Sequence, residues 1–295
     1  MDPRIELRHL RYFLAVADEL HFGRAARQVH IAQPALSQQI RQLEMLVGVE
    51  LFQRSSRRVR LTDAGTAFQI RARDLLERLA GDVDEAGRVG RGEVGHLHLA
   101  FITSATSIVS ELLRVFARSR PEVQITLRDG FTTNVLTSLQ QGTADAGIVR
   151  DPEDHDDIAL SPLITERFVA LVPATHAAAH GTRVTPAALR ADPLILFPKA
   201  AGPHAFAVNT QVLRDAGIDV QIAQECSHWH TIIALVASGL GVTIAPASVT
   251  TLLPPGVRRL ELDGPAPVSR IFLATRRGDE RPLVKAFAEA AHRAG

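Results

Sequence analysis

The sequence predicts a mixed α/β protein in which an all-helical N-terminal part, ending in a long helix, precedes a two-lobed α/β body. Apolar residues recur at helical spacing as far as about residue 89. From residue 96 onward, short apolar runs of strand length alternate with helical stretches. The glycine-rich segment at residues 87–95 separates the two patterns and is typical of a hinge. A chain of 295 residues is long enough for two or three domains.

The composition is that of a soluble globular protein, with 46% hydrophobic and 22% charged residues. No uninterrupted apolar stretch reaches the roughly 20 residues that span a bilayer, and the amino terminus lacks the apolar core of a secretory signal. The single cysteine, Cys226, excludes an internal disulfide and fits a reducing compartment. We therefore expect a cytoplasmic protein that does not bind membranes.

The charge is distributed unevenly along the chain. Residues 1–62 contain ten arginines and six acidic residues, a net charge of +4, while the whole chain carries +1. Four of these arginines lie in QRSSRRVR, residues 53–60. A basic N-terminal part on a slightly acidic body indicates that this part meets a polyanion. For the arginine cluster alone, a solvated surface is the alternative.

Residues 1–62 are predicted to form a winged helix-turn-helix. A first helix is expected at residues 7–20, and a second begins at about Gly23, which takes the cap position. A short turn, residues 31–33, leads to Pro34 at the first position of a third helix, where the missing N–H costs nothing. VELFQRSSRRVRLT then alternates as two short strands around a basic tip, which predicts a wing.

The third helix has an apolar side and a polar side. Four apolar residues recur at spacings of four, three and four, which predicts a buried stripe: Leu36, Ile40, Leu43 and Val47. In a helix-turn-helix the second helix of the pair lies in the major groove, with its first turns against base edges. The opposite side carries the candidate DNA-binding residues: Gln33, Pro34, Ala35, Ser37, Gln38 and Arg41. A polar, solvated helix face is the alternative.

Each of these side chains suits a part of duplex DNA. The amides of Gln33 and Gln38 offer the paired donor and acceptor that read adenine, and Arg41 can bond guanine or a phosphate. Pro34 and Ala35 can contact a thymine methyl group, and Ser37 is expected to bind a phosphate. Arg57, at the wing tip, is expected to contact phosphate.

Residues 63–92 are predicted to form a linker helix and hinge. Apolar residues from Phe68 to Ala86 recur at spacings of three and four, and the other faces are charged. A long two-faced helix beside a DNA-binding head usually packs against a second copy of itself. Packing on its own body is the alternative.

From residue 93 to the C-terminus, the alternation of strands and helices predicts parallel sheets with helices on both faces. Two lobes are expected, at about residues 93–164 plus 268–295 and residues 165–267, with a cleft between them. In open parallel sheets, ligands bind beyond the carboxyl ends of the strands. The cleft is therefore the candidate ligand site.

Two polar stretches occupy such positions, ITSATS at residues 102–107 and DGFTTN at residues 129–134. Each joins a strand to the start of a helix, where free N–H groups and the helix dipole attract an anion. Their hydroxyls could hold a carboxylate without any lysine or arginine, and plain helix capping is the alternative. The residues concerned are Thr103, Ser104, Thr132 and Thr133.

Residues 7–68 resemble the winged helix-turn-helix of LysR-type transcriptional regulators nearly position for position, in AARQVHIAQPALSQQIRQLE and LFQRSSRRVRLTDAG above all. The resemblance implies an antiparallel linker-helix dimer that presents two recognition helices to adjacent turns of the major groove. It places the DNA contacts on Gln33, Pro34, Ala35, Ser37, Gln38 and, in the wing, Arg54.

The rest of the chain resembles the effector domain of the same family, in LLRVFARSRPEVQITL, LQQGTADAGIVR and LVASGLGVTIAPAS. That domain consists of two α/β subdomains like those of periplasmic binding proteins. LFPKAAGPHAF and GLGVTIAPAS are most similar to regulators of aromatic-compound catabolism that sense muconate-type dicarboxylates. The resemblance places effector contacts on five residues: Thr103, Thr132, Pro203, Phe206 and Trp229. Trp229 departs from the aliphatic residue common there, so the identity of the ligand does not transfer.

Other candidate sites are weaker. CSHWH, residues 226–230, crowds three potential metal ligands into five residues without a fourth, unlike a zinc site. GLGVTIAP precedes a strand, whereas the dinucleotide fingerprint follows one. No catalytic constellation emerges, which argues against an enzyme, and the basic head argues against a solute-binding protein. We expect no metal and no cofactor other than a small effector.

The sequence thus predicts a dimeric or tetrameric transcription factor that binds a pseudo-palindromic operator and responds to a small carboxylated metabolite, an aromatic acid or a dicarboxylate. Closure of the two lobes on that metabolite would change the angle between paired heads and so the bending of promoter DNA. The metabolite must then bind one arrangement more tightly than the other. RNA polymerase is a further partner consistent with this role.

Overall fold

The structure of the chain, a computed structural model, describes residues 4–54, 58–264 and 267–294. The chain divides into two compact units, Met1–Gly87 and Arg88–Gly295. Each unit has its own buried core. The long helix expected near this division is present and covers Asp63–Gly90.

The N-terminal unit has the helix-turn-helix and the two-stranded wing that the sequence predicts. The two strands pair antiparallel, with Phe52 opposite Leu61. In chain order the elements are α1 (Leu7–Glu19), α2 (Phe22–Gln28), α3 (Gln33–Val47), β1 (Phe52–Arg54), β2 (Val59–Leu61) and α4 (Asp63–Gly90).

Two helix starts differ from the prediction by one residue. The cap of α2 is His21, whose Nδ1 accepts hydrogen bonds from the backbone N–H groups of Gly23 and Arg24 at 3.1 and 3.2 Å. Gly23 therefore lies inside the helix. α3 begins at Gln33, which makes Pro34 its second residue. The preceding turn lies earlier than expected and contains His30 in a left-handed conformation, with φ at 57°.

The predicted apolar stripe of α3 is buried in the core of the N-terminal unit, here called the first core. Three of its residues are completely buried: Leu36, Ile40 and Leu43. Val47 packs at the margin of the same core. Phe13 of α1 belongs to the same core, and the centre of its ring lies 5.2 Å from that of Phe52 and 5.0 Å from that of Phe68. Each completely buried aliphatic side chain contributes about 1.5–3 kcal/mol, which fixes α3 with its polar side outward.

The second unit alternates strands and helices, as the sequence predicts. Its strands are β3 (Val94–Ile102), β4 (Glu122–Gly130), β5 (Ala146–Arg150), β6 (Ile158–Pro173), β7 (Arg183–Val184), β8 (Leu194–Leu196), β9 (Ile222–Glu225), β10 (Thr243–Pro246), β11 (Val257–Leu262) and β12 (Val268–Arg276). Its helices are α5 (Thr106–Ser119), α6 (Thr132–Gln140), α7 (Pro203–Asp215), α8 (Trp229–Ala237) and α9 (Pro282–Ala294).

The strand pairing corrects the expectation of parallel sheets. β3 does run parallel to β4 and β5, but β6 runs antiparallel to β10, β11 and β12. The long strand β6 pairs with β12 as far as Arg167 and with β10 from Phe168 onward, so it belongs to both lobes. Antiparallel pairing arises because β6 carries the chain out of the first lobe and β12 brings it back.

Helices cover both faces of the sheet in the second lobe, as expected. Successive residues of β6 at 168–172 are all buried and alternate between two cores. One core packs against Val212 and Leu213 of α7, and the other against Ile232 and Val236 of α8. A strand buried on both faces is apolar at every position, which explains the uninterrupted run that the sequence shows there.

Candidate nucleic-acid interface and ligand cleft

The polar side of α3 faces solvent as the sequence predicts. Of the six candidate DNA contacts on this side, Ser37 is half-buried. The other five are exposed: Gln33, Pro34, Ala35, Gln38 and Arg41. In the described part of the chain, no hydrogen bond or ion pair occupies the side chain of Gln33, Gln38 or Arg41. Their donors and acceptors are therefore available to a partner.

Of the two candidate DNA contacts in the wing, Arg54 and Arg57, the structure describes Arg54. Arg54 forms an ion pair with Glu44 of α3, with Nη2 2.5 Å from Oε2, and its guanidinium lies 5.2 Å from the centre of the Phe22 ring. Glu44 Oε1 also accepts the N–H groups of Leu51 and Phe52 at 3.0 and 3.1 Å. The Arg54–Glu44 ion pair thus connects the wing to α3. If Arg54 also contacts DNA, its guanidinium binds Glu44 and the DNA at the same time. Arg57 lies outside the described residues.

The apolar stripe of α4 is uncovered over most of its length. Ala72 is buried in the first core, but Leu75 and Val83 are 45% and 64% exposed. Large apolar side chains repeated along one face of a helix are typical of an interface.

A cleft opens between the two lobes of the second unit. It holds a cavity of about 40 Å³. Most of its wall is apolar and aromatic: Ile102, Phe131, Phe168, Phe197, Trp229, Ile232 and Pro246. Its polar residues are Thr103, Ser104, Thr132, Arg150, Asn209 and Ser227. Apolar walls with a few polar groups are typical of a small-molecule site.

The predicted hydroxyl residues divide into three groups. The hydroxyl of Thr103 makes no hydrogen bond with any residue that the structure describes. Thr132 Oγ1 donates to the backbone oxygen of Arg150 at 3.2 Å, and Ser104 Oγ accepts from Arg150 Nε at 3.1 Å. Thr133 Oγ1 donates to the Ala201 oxygen of the second lobe at 3.2 Å and lies outside the cleft wall. At the start of α6 the N–H of Phe131 donates to Asn134 Oδ1 at 3.1 Å, and none of the four predicted hydroxyls caps a helix among the described residues.

Arg150, which the sequence analysis missed, corrects the expectation of a site without lysine or arginine. It ends β5, is 6% exposed and lines the cleft. Its Nη1 donates to Glu166 Oε1 at 2.6 Å and to Ser269 Oγ at 2.7 Å. Glu166 in turn accepts the N–H of Ser248, in the second lobe, at 2.6 Å. The guanidinium charge is therefore compensated, and the network joins both lobes. The position of an arginine at the carboxyl end of an apolar strand could have indicated it.

The effector contacts implied by resemblance fall only partly on this cleft. Trp229 begins α8, is buried and lines the cleft, with its ring 6.1 Å from that of Phe197. Phe206 lies behind the wall, with its ring 5.9 Å from that of Phe197. Pro203 begins α7 and lines a separate pocket of about 50 Å³. Neither Phe206 nor Pro203 is part of the cleft wall.

Metal sites and membrane spans concern the described residues, 4–54, 58–264 and 267–294. Within them, no group of three or more His, Cys, Asp or Glu side chains is placed to hold a metal ion. Cys226 follows β9, and its N–H donates to the Leu196 oxygen at 3.0 Å. No helix among residues 4–54, 58–264 and 267–294 is long and apolar enough to cross a membrane.

Both units match known protein families. Residues 7–66 match the family described as bacterial regulatory helix-turn-helix protein, lysR family, and residues 90–295 match the LysR substrate binding domain. The chain belongs to the LysR family of transcriptional regulators. Among relatives of this LysR-type regulator, HTH-type transcriptional regulator AlsR of Bacillus subtilis (strain 168) is 35% identical over 284 residues, 96% of this chain and 94% of AlsR.

Solved structures agree with this assignment. The crystal structure of CbnR, a LysR family transcriptional regulator, has a TM-score of 0.86 at 30% identity and covers 97% of this chain and 100% of CbnR. Full-length CbnR in complex with its target DNA gives a TM-score of 0.85 at 30% identity, covering 98% of this chain and 99% of that one. This LysR-type regulator is a DNA-binding transcription factor.

Proposed function

We propose that this LysR-type regulator binds a pseudo-palindromic operator as a homodimer or homotetramer and that a small carboxylate-bearing metabolite, an aromatic acid or a dicarboxylate, binds in the cleft between the lobes. Binding of the metabolite changes operator binding or promoter activation, in contact with RNA polymerase. The single observation that carries the effector part is the unoccupied hydroxyl of Thr103 in a mostly apolar cleft with aromatic walls.

Operator recognition rests on the free side chains of α3. Gln33 and Gln38 offer amides that can read adenine, and Arg41 can bond guanine or phosphate. A palindromic site requires two such helices, and the exposed stripe of α4, with Leu75 and Val83, offers the surface through which a second copy can pack.

A carboxylate in the cleft would find donors that are already in place. Thr103 Oγ1 is free to donate, and α6 begins at Thr132 with backbone N–H groups and a positive dipole end toward this part of the wall. Arg150 adds a fixed guanidinium whose charge Glu166 compensates. Hydrogen bonds from neutral groups suffice for an anion that the dipole also stabilises.

The proposed switch is a change in the angle between the lobes. Arg150 lies in the first lobe, and Glu166 binds it while accepting a hydrogen bond from Ser248 in the second. A ligand between the lobes that fits one angle better shifts the population toward that angle. A ligand with equal affinity for both angles would shift nothing.

Thr103→Val tests the effector site, because it replaces the hydroxyl by a methyl of similar size. We expect benzoate or cis,cis-muconate to raise the melting temperature of the wild type, since ligand at 100 times its Kd adds about 2.7 kcal/mol. Thr103→Val should lose this shift and keep its operator affinity. Thr137→Val, an exposed position on α6, is the matched control. An unchanged response in Thr103→Val would place the site elsewhere. Equal stabilisation by neutral benzamide would mean that the carboxylate is not what the protein recognises.

A further inference from the structure

Asn209 is a buried polar residue in the cleft wall that has no role in the proposed function. It lies in the middle of α7, in the second lobe, and is 2% exposed. Its Nδ2 donates to the backbone oxygen of Ile244 in β10 at 3.0 Å. Its Oδ1 is buried and has no hydrogen-bond partner in the part of the chain that the structure describes.

The orientation of the Asn209 amide is fixed by its neighbour. Turning the amide over would bring Oδ1 against the Ile244 oxygen, so two acceptors would face each other. The unmet group is therefore an acceptor. A buried acceptor without a partner is costly, and a ligand that donates to it removes that cost on binding.

We infer that the effector carries, besides its carboxylate, a hydroxyl that donates to Asn209 Oδ1, so that hydroxylated aromatic acids are favoured over dicarboxylates. The inference rests on the proposed function, which places the carboxylate near Thr103. A second carboxylate is ionised at neutral pH and has only acceptor oxygens. An ionised carboxylate therefore has no hydrogen to donate to Asn209 Oδ1, and two acceptor oxygens would face each other.

The remaining wall is chemically suited to the ring of such an acid. Phe131 and Phe168 line the same cleft as Phe197 and Trp229, so the wall offers aromatic surfaces to a ring. Thr103 belongs to the first lobe and Asn209 to the second. A ligand that bonds to both at once would join the lobes and favour a closed angle, which is the differential binding that a switch requires.

Calorimetry on the full chain tests this with probes of known chemistry. The first set is benzoate, the three hydroxybenzoates and the three methoxybenzoates, in which the ether oxygen accepts but cannot donate. The second set is the dicarboxylates isophthalate and terephthalate. We expect at least one hydroxybenzoate to bind about tenfold or more tightly than both benzoate and its own methyl ether, because a buried acceptor is paired only in that complex.

Asn209→Ala should reduce the advantage of that hydroxybenzoate over benzoate to about twofold or less while benzoate itself binds nearly as before. If this variant does not fold, the comparison of hydroxyl with methyl ether in the wild type still decides. Equal binding of the hydroxybenzoates and their ethers, or tightest binding by a dicarboxylate, overturns the inference and leaves the proposed function intact. Binding of none of the acids overturns both.

Discussion

Replacing Glu44 by Ala removes a carboxylate that holds three groups of the N-terminal unit together. Its side chain is 12% exposed, and it accepts the N–H groups of Leu51 and Phe52 and pairs with Arg54. Hydrogen bonds to a charged group contribute about 1.5–3 kcal/mol each, and the partly exposed ion pair adds less than about 1 kcal/mol. Taking the lower end for the two N–H groups, the loss should be about 3 kcal/mol.

Amide hydrogen exchange measures this loss where it occurs. A local loss of about 3 kcal/mol should speed exchange at Leu51 and Phe52 by about a hundredfold, since 1.4 kcal/mol is a factor of ten. Glu50→Ala is the matched control, because Glu50 is exposed and its side chain forms no hydrogen bond or ion pair with the described residues. It should change exchange at these amides by less than about threefold.

The same variants decide what Arg54 does. If Arg54 acts through Glu44, the double variant Glu44→Ala with Arg54→Ala should be no less stable than Glu44→Ala alone. Equal exchange in Glu44→Ala and Glu50→Ala would refute the argument, because it would mean that the wing is held by other contacts. Additive losses in the double variant would assign Arg54 an independent role.

Three further predictions concern DNA and pH. Gln33→Ala or Gln38→Ala should cost about 1–3 kcal/mol on the operator and little on random DNA, which competition gel shifts would show. Arg57→Ala should weaken both kinds of binding about equally and lower the salt slope by about one, measured by titration at several salt concentrations. A hydrogen bond from Arg281, at 2.6 Å, holds the pKa of the Asp279 carboxyl below its ordinary value. This carboxylate therefore stabilises the fold above about pH 3.9, and its contribution is lost as the pH falls through the lowered value. Asp279→Asn should flatten the acid side of the stability curve, followed by Trp229 fluorescence in urea.

Most elements could be predicted from the sequence because their patterns are local. The stripe on α3 depends on spacings of three and four residues, which bring side chains to one face of a helix wherever that helix lies. The uninterrupted apolar run at 168–172 is also a local pattern, and in the structure all five of these residues are buried. Cap identity was harder, since His21 caps α2 with a ring nitrogen rather than with the oxygen that common caps use.

Strand pairing could not be predicted in the same way. Ser161 of β6 lies opposite Leu273 of β12, so the antiparallel pairing joins residues more than a hundred positions apart. The strand β6 begins at Ile158, well before its uninterrupted apolar run at 168–172. The alternation of strands and helices is compatible with parallel or antiparallel order, and the direction is set by how the chain crosses between the lobes.

Local patterns in the sequence were enough to predict which side of α3 faces outward, where most of the helices and strands lie, and that the chain resembles LysR-type regulators. The tertiary structure alone decided which polar groups of the cleft are occupied. Arg150 meets Glu166 and Ser248, whereas Thr103 and the oxygen of Asn209 remain without partners among the described residues. Hydrogen-bond partners come from strands and helices far apart in the chain, so no local pattern records them.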